Sequence, residues 1–239
     1  MSNNTYTKLQ GSFYLILSLL LLICLVSCYP EFKNPIAPPA ELKADPQILG
    51  TWVRTYKADD SEYKEQLSVF PRSNGWIDVV WIYDIDKKES TDGVNLLILE
   101  GYNTSVNRQR FLCLRIRKRD FNWTGQKNPK WTEKGEELCF TKDWFIANYE
   151  APTKDKLVIK PFSTQIVEDL IEKGKLKGEI KKEGLLRMQE PSLDEVTVTS
   201  SSDELVKVIS QQGTGALIWD DPNDTLRFMN VLVFTKLGK

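Results

Sequence analysis

The longest apolar run lies near the N-terminus, where positions 13–26 read FYLILSLLLLICLV with Ser18 the only strongly polar residue. These fourteen positions fall short of the roughly 20 apolar residues that a spanning helix needs. They match the hydrophobic region of an export signal instead. Positions 1–12 are polar and carry one charge, Lys8. Positions 29–46 then hold five of the chain's eleven prolines, a composition that favours extended polyproline II and resists packing. That stretch predicts a tether of roughly 55–60 Å when fully drawn out.

From position 47 onward short apolar segments alternate with turn signals. The pattern predicts strands over 48–57, 63–70, 76–85, 94–102, 110–118, 136–141, 144–150 and 157–162. Tyr63, Leu67 and Val69 share one face of the second. In the fifth, Leu112, Leu114 and Ile116 oppose Cys113, Arg115 and Arg117. Ser73-Asn74-Gly75 is a hairpin signal, because Asn-Gly supplies the positive-φ residues of a type I′ turn. Eight short strands joined by polar turns predict a mostly β fold: an antiparallel up-and-down barrel or a strongly curved sheet. Closure also removes exposed edges.

The period then changes. Ser163 is placed to cap a helix whose stripe is Ile166, Val167, Leu170 and Ile171, with Gly174 as its end. Ser201-Ser202-Asp203-Glu204 fits a capping box before Leu205, Val206 and Ile209, with Gly213 as terminator. A β-branched run at 195–200 and apolar material at 217–220 and 226–237 supply further strands. The expected organisation is a removed export signal (1–27), a tether (28–46) and one globular domain (47–239) with two helices in its C-terminal part.

Composition narrows the chemistry more than it narrows the fold. The chain has 32 basic and 33 acidic residues, a net charge of −1, unlike the basic character of a nucleic-acid binder. It contains no histidine. That excludes Ser-His-Asp and Cys-His nucleophile systems and any His-ligated metal. A carboxylate-based hydrolase is the one enzymatic class left open, and nothing in the sequence nominates its pair of acids. No cofactor is expected.

Two short motifs carry resemblances. Leu25-Val26-Ser27-Cys28 resembles the lipobox of bacterial lipoproteins. The resemblance implies a diacylglyceryl group on the Cys28 thiol, cleavage before Cys28, and an anchor of two or three chains, where one chain alone is marginal. Tyr29, rather than Asp, after the cysteine implies the outer membrane if the host has two. The alternative is an uncleaved N-terminal membrane helix that ends in cysteine. Gly50-Thr51-Trp52, entering an eight-strand meander followed by a helix, resembles the G-x-W start of lipocalins and other calycins. There the glycine permits close packing at the barrel base, the tryptophan plugs it, and a basic residue near the C-terminus lies over the indole. Arg227 is the residue expected in that place. An ordinary core tryptophan in another β-sandwich or half-barrel is the alternative. The tail departs from the lipocalin pattern in having two helices and extra strands. Segments 170–178 and 196–205 are similar to stretches of uncharacterised bacterial envelope lipoproteins.

The remaining candidate chemistry is sparse. Cys113 and Cys139 are the thiols left after lipidation, on strands expected to be neighbours. They either form a cross-strand disulfide, which needs Cα atoms within about 7 Å, or stay as two buried thiols. Acidic clusters at Asp84/Asp86/Glu89/Asp92 and Asp220/Asp221/Asn223/Asp224 lack EF-hand spacing and read as solvated turns, so no metal site is expected. Arg108, Arg110, Arg115, Arg117, Lys118, Arg119, Lys127 and Lys130 form a basic cluster. It suits either anionic lipid headgroups or, better, a sheet face neutralised by Asp120, Glu133, Glu136 and Glu137. The functional expectation is a non-enzymatic, lipid-anchored envelope protein that binds a small apolar or amphipathic ligand in the barrel. The alternative is a module with a filled barrel that contacts other envelope proteins through its surface.

Overall fold

The alternation of apolar and polar positions resolves into a closed sheet. The structure, a computed structural model, describes residues 29–58, 61–83, 94–123, 143–181, 195–213, 217–218 and 231–238. In chain order the strands are β1 (Glu31–Phe32), β2 (Gly50–Ala58), β3 (Ser61–Pro71), β4 (Ile77–Tyr83), β5 (Val94–Val106), β6 (Gln109–Trp123), β7 (Trp144–Thr153) and β8 (Lys156–Pro161). Helix α1 (Thr164–Glu172), β9 (Gly178–Lys181), β10 (Glu195–Val198), helix α2 (Ser202–Gln212) and β11 (Leu232–Lys236) complete the described elements. Strands β2 to β8 pair each with the next, all antiparallel. Strand β11 then bridges β8 and β2 and closes an eight-stranded barrel. Every edge in the ring is thereby paired.

One strand of the ring differs from the sequence pattern. The expected strand at 136–141 lies outside the described residues. The eighth barrel strand comes instead from the C-terminal tail, as β11. The physical reason is that closure requires one strand whose two edges match β8 and β2 at once. β11 meets both: Leu232 pairs with Ile159, and Lys236 pairs with Trp52.

The turns also differ in detail. At 72–76 the Arg72 N–H donates to the Trp76 carbonyl and the Gly75 N–H to the Arg72 carbonyl. Only Gly75 takes positive φ there (80°), so this is a three-residue hairpin and not a type I′ turn. The type I′ geometry occurs between β5 and β6, where Asn107 and Arg108 have φ of 50° and 66°. Gly75 is needed for a second reason. A Cβ at this position would lie 2.1 Å from the Leu42 carbonyl oxygen.

Leu42 belongs to the segment expected to stand free as a tether, and that expectation is corrected. Residues 29–49 run against the barrel. Phe32 and Ile36 are each 1% exposed, and β1 pairs with both β7 and β10. Tyr102 Oη donates to the Ile36 carbonyl at 2.6 Å. The prolines here shape an extended strap whose few apolar side chains are buried.

Two cores result. Inside the barrel lie Trp52, Leu67, Val69, Ile77, Val79, Leu99, Leu112, Leu114 and Phe234. Outside it, on the far face of β5–β7, Phe111, Cys113 and Ile146 pack with Phe32 and Ile36 of the strap and with Val167, Leu205 and Ile209 of the helices. This double burial explains why β6 reads as imperfect alternation: Phe111, Leu112, Cys113 and Leu114 are all buried. Both helices keep their expected caps. Ser163 accepts from the Ile166 N–H, and Ser201 and Glu204 form a reciprocal capping box.

A sealed base and an apolar cavity

Gly50-Thr51-Trp52 builds the closed end of the barrel. Trp52 is fully buried, and its Nε1 donates to the Ile48 carbonyl at 2.8 Å. That bond satisfies the one polar group of the indole. Lys236 Nζ lies 5.0 Å from the centroid of the Trp52 ring, within cation–π range. Gly50 has φ of 116°, and a Cβ there would press to 3.3 Å from Lys236 Cε. The glycine thus provides both the backbone conformation and the room for the lysine stem.

The position expected of Arg227 is held by Lys236, and Arg227 itself lies outside the described residues. The β11–β2 register selects the lysine, because Lys236 is directly opposite Trp52. A sequence without its register shows only that some base follows in the last strand.

The turn at 45–48 completes the seal. Ile48 is buried inside the barrel. Asp45 Oδ2 accepts from Tyr149 Oη at 2.8 Å and from Arg110 Nη1 at 3.2 Å, while the Asp45 N–H donates to Asn103 Oδ1. Burial, with the neighbouring Asp45 carboxylate, pushes the Tyr149 hydroxyl far above its ordinary range. It therefore stays a neutral donor. The Arg110 guanidinium also lies over the Tyr149 ring.

Above this base the barrel is hollow. A cavity of about 120 Å³ is walled by Leu67, Val79, Leu99, Leu114, Ile159 and Phe234, among other apolar side chains. An engineered cavity of roughly 150 Å³ holds benzene, so the space suits a small ring or the end of an alkyl chain. Towards the other end of the barrel it reaches Trp81, Leu97, Ile116 and Phe145. Tyr29, Pro30 and Glu31 of the strap and Asp143 also line it. Tyr29 packs edge-on against Phe145 at 5.4 Å.

Polar groups gather at this mouth. Asp143 Oδ2 accepts from Lys33 Nζ at 2.7 Å. Its Oδ1 is buried and has no hydrogen-bond partner among the described residues. Arg54 and Glu65 also face inward from β2 and β3, as a pair 3.4 Å apart with side chains 7% exposed. Arg54 lies over the Tyr56 ring at 4.3 Å, and Tyr56 stacks on Tyr63. Sequence reading passed over Arg54, Glu65 and Asp143. The in-phase sequence Trp52, Arg54, Tyr56 on β2 was the available signal for the first.

The basic cluster is dispersed. Arg115 meets Glu100 on β5 at 2.5 Å, and Arg117 meets Asp78 on β4 at 3.8 Å. Arg72 reaches Glu100 at 3.0 Å and also pairs with Asp78. Arg115 further lies over the rings of Trp76 and Trp144. Among the described residues, the acids that neutralise these arginines are Asp78 on β4 and Glu100 on β5; the Asp120 side chain and residues Glu133, Glu136 and Glu137 lie outside the described residues. Burial would raise the Glu100 carboxyl, but its hydrogen bonds and charge contacts with Arg115 and Arg72 outweigh that and leave it below its ordinary value. The side chains of Lys118 and Arg119 are not among those the structure describes, and Lys127, Lys130 and both acidic clusters lie outside the described residues.

Cys113 points out of the barrel into the second core. It is fully buried, with Sγ 4.0 Å from the Ile36 carbonyl oxygen. Burial pushes its thiol up to about 12, the opposite of an activated nucleophile. Cys139 and Cys28 lie outside the described residues. Among the described residues no helix is long and apolar enough to cross a membrane. Compared with known proteins, the chain gives no significant match to any family model, curated protein or solved structure.

Proposed function

We propose that the chain is a non-enzymatic, lipid-anchored protein of the bacterial envelope, held by acyl groups on Cys28, in the outer membrane if the host has two. Its barrel binds a small apolar or amphipathic ligand. The observation that carries this reading is the apolar cavity of about 120 Å³ inside the closed barrel. A filled barrel would have favoured a pure interaction module. The apolar wall takes a ring or chain end, and Asp143 with its Lys33 partner at the mouth suits a polar head. Among the described residues, the acids on the cavity wall are Glu31 and Asp143.

The test is titration of the chain from Tyr29 onward with an apolar naphthalene fluorophore. Saturable binding near one equivalent is expected. Leu99→Trp, which fills the cavity from its wall, should abolish that binding while leaving a cooperative melt. Binding that does not saturate, or that survives Leu99→Trp unchanged, refutes the cavity as the site. Mass spectrometry of the mature N-terminus tests the anchor independently. Acylated Cys28 is expected, and an intact Met1 terminus in membrane fractions refutes it.

A further inference from the structure

The cavity mouth and the proposed anchor sit at the same end of the molecule. Cys28 is one residue, a Cα step of about 3.8 Å, from Tyr29, which lines the cavity and packs on Phe145. The residues that follow are fixed. Phe32 is buried and pairs with Trp144 and Val198. The Lys33 N–H donates to the Val198 carbonyl at 2.9 Å, and its ammonium group pairs with Asp143. The reach that a free 29–46 segment would have given is therefore absent. Any acyl chain on Cys28 starts beside the barrel opening. The polar headgroup layer of a bilayer is only about 5–8 Å deep on each side, so an anchor with this little slack cannot hold the opening far from it.

A second observation agrees. The mouth end carries Tyr29, Tyr56, Tyr63 and Trp81, each partly exposed. Tyrosine and tryptophan are the residues enriched where membrane meets water. Among the described residues, the opposite end carries the exposed polar turns at Ser73-Asn74, Asn107-Arg108 and Lys154-Asp155, while the mouth end sets exposed Lys57 and Glu62 beside its aromatics. We propose that the mouth end of the barrel is the membrane-facing surface, so that the cavity opens directly onto the lipid. This inference rests on the reading of Cys28 as a lipidated residue.

The test uses the full mature, lipidated chain in phosphatidylethanolamine–phosphatidylglycerol vesicles that contain a headgroup-nitroxide lipid. A bimane label is placed by Glu62→Cys, exposed at the mouth end beside the β2–β3 hairpin, or by Lys154→Cys, exposed in the turn at the base. Both are made in a Cys139→Ser background, with the unsubstituted background as the labelling control. The Glu62→Cys label should be quenched several-fold more strongly than the Lys154→Cys label. Equal quenching, or the reverse order, on chains that float with the vesicles and carry acyl groups overturns the orientation while leaving lipidation intact. A chain that neither floats nor carries acyl mass overturns the lipidation reading, and the orientation with it.

Discussion

Replacing Trp52 with alanine tests the barrel base most directly. The side chain is fully buried, donates to the Ile48 carbonyl at 2.8 Å and carries Lys236 above its ring. Truncation removes a large volume from a closed end where strands on all sides limit collapse. Trp→Ala changes in cores cost about 3–5 kcal/mol. The lost hydrogen bond strands the Ile48 carbonyl, worth about 1 kcal/mol, and the lost cation–π contact adds about 0.5–1 kcal/mol. Both lie largely within the spread of the first figure, so we take about 4–5 kcal/mol as the whole. For a domain of this size each kcal/mol moves the melting midpoint by roughly 2–4 °C. The expected fall is therefore about 8–20 °C, read by circular dichroism on the chain from Tyr29 onward. Trp52→Phe, which keeps most of the packing, should fall by much less. A surface tryptophan would change stability within about 0.5 kcal/mol, so a Trp52→Ala midpoint within about 2 °C of the parent refutes the plug.

Three further outcomes are expected. Glu65→Leu removes a carboxylate from beside the buried Arg54 guanidinium, so it should cost about 3–5 kcal/mol in urea unfolding; a loss under about 1 kcal/mol means that the pair does not hold the barrel interior. Because the folded-state carboxyl of Glu100 is lowered from its ordinary value of 4.5, its contribution is present above that pH and lost as pH falls through the folded-state value. Urea midpoints compared between neutral and acid pH should then fall less in Glu100→Gln than in the parent, and parallel acid limbs would remove Glu100 from the account. Cys113, with its thiol pushed up to about 12, should alkylate at least a hundredfold more slowly in the folded chain than in denaturant at mildly alkaline pH; alkylation in denaturant only after reduction would instead show the bridge to Cys139.

Much of the architecture follows from local rules. Seven of the eight barrel strands, both helix caps and the common face of Leu112, Leu114 and Ile116 follow from period and capping chemistry, which act over a few residues. The Gly50 and Trp52 motif is legible for the same reason, since its glycine and indole are two positions apart on one strand. What the tertiary structure alone decides is which distant segments meet. β11 closes the barrel, and its register puts Lys236 over Trp52, because one strand must satisfy two edges far apart in sequence. The strap at 29–49 packs because Phe32, Ile36 and Ile48 find apolar partners in both cores, although its proline content reads as a tether. Arg115 and Arg117 look like a basic face along the chain, yet Asp78 and Glu100 lie beside them only once β4, β5 and β6 are aligned. The cavity is the clearest case. Each strand records which of its faces is apolar, but whether those faces fill the barrel depends on how eight curved strands divide a volume that none of them specifies.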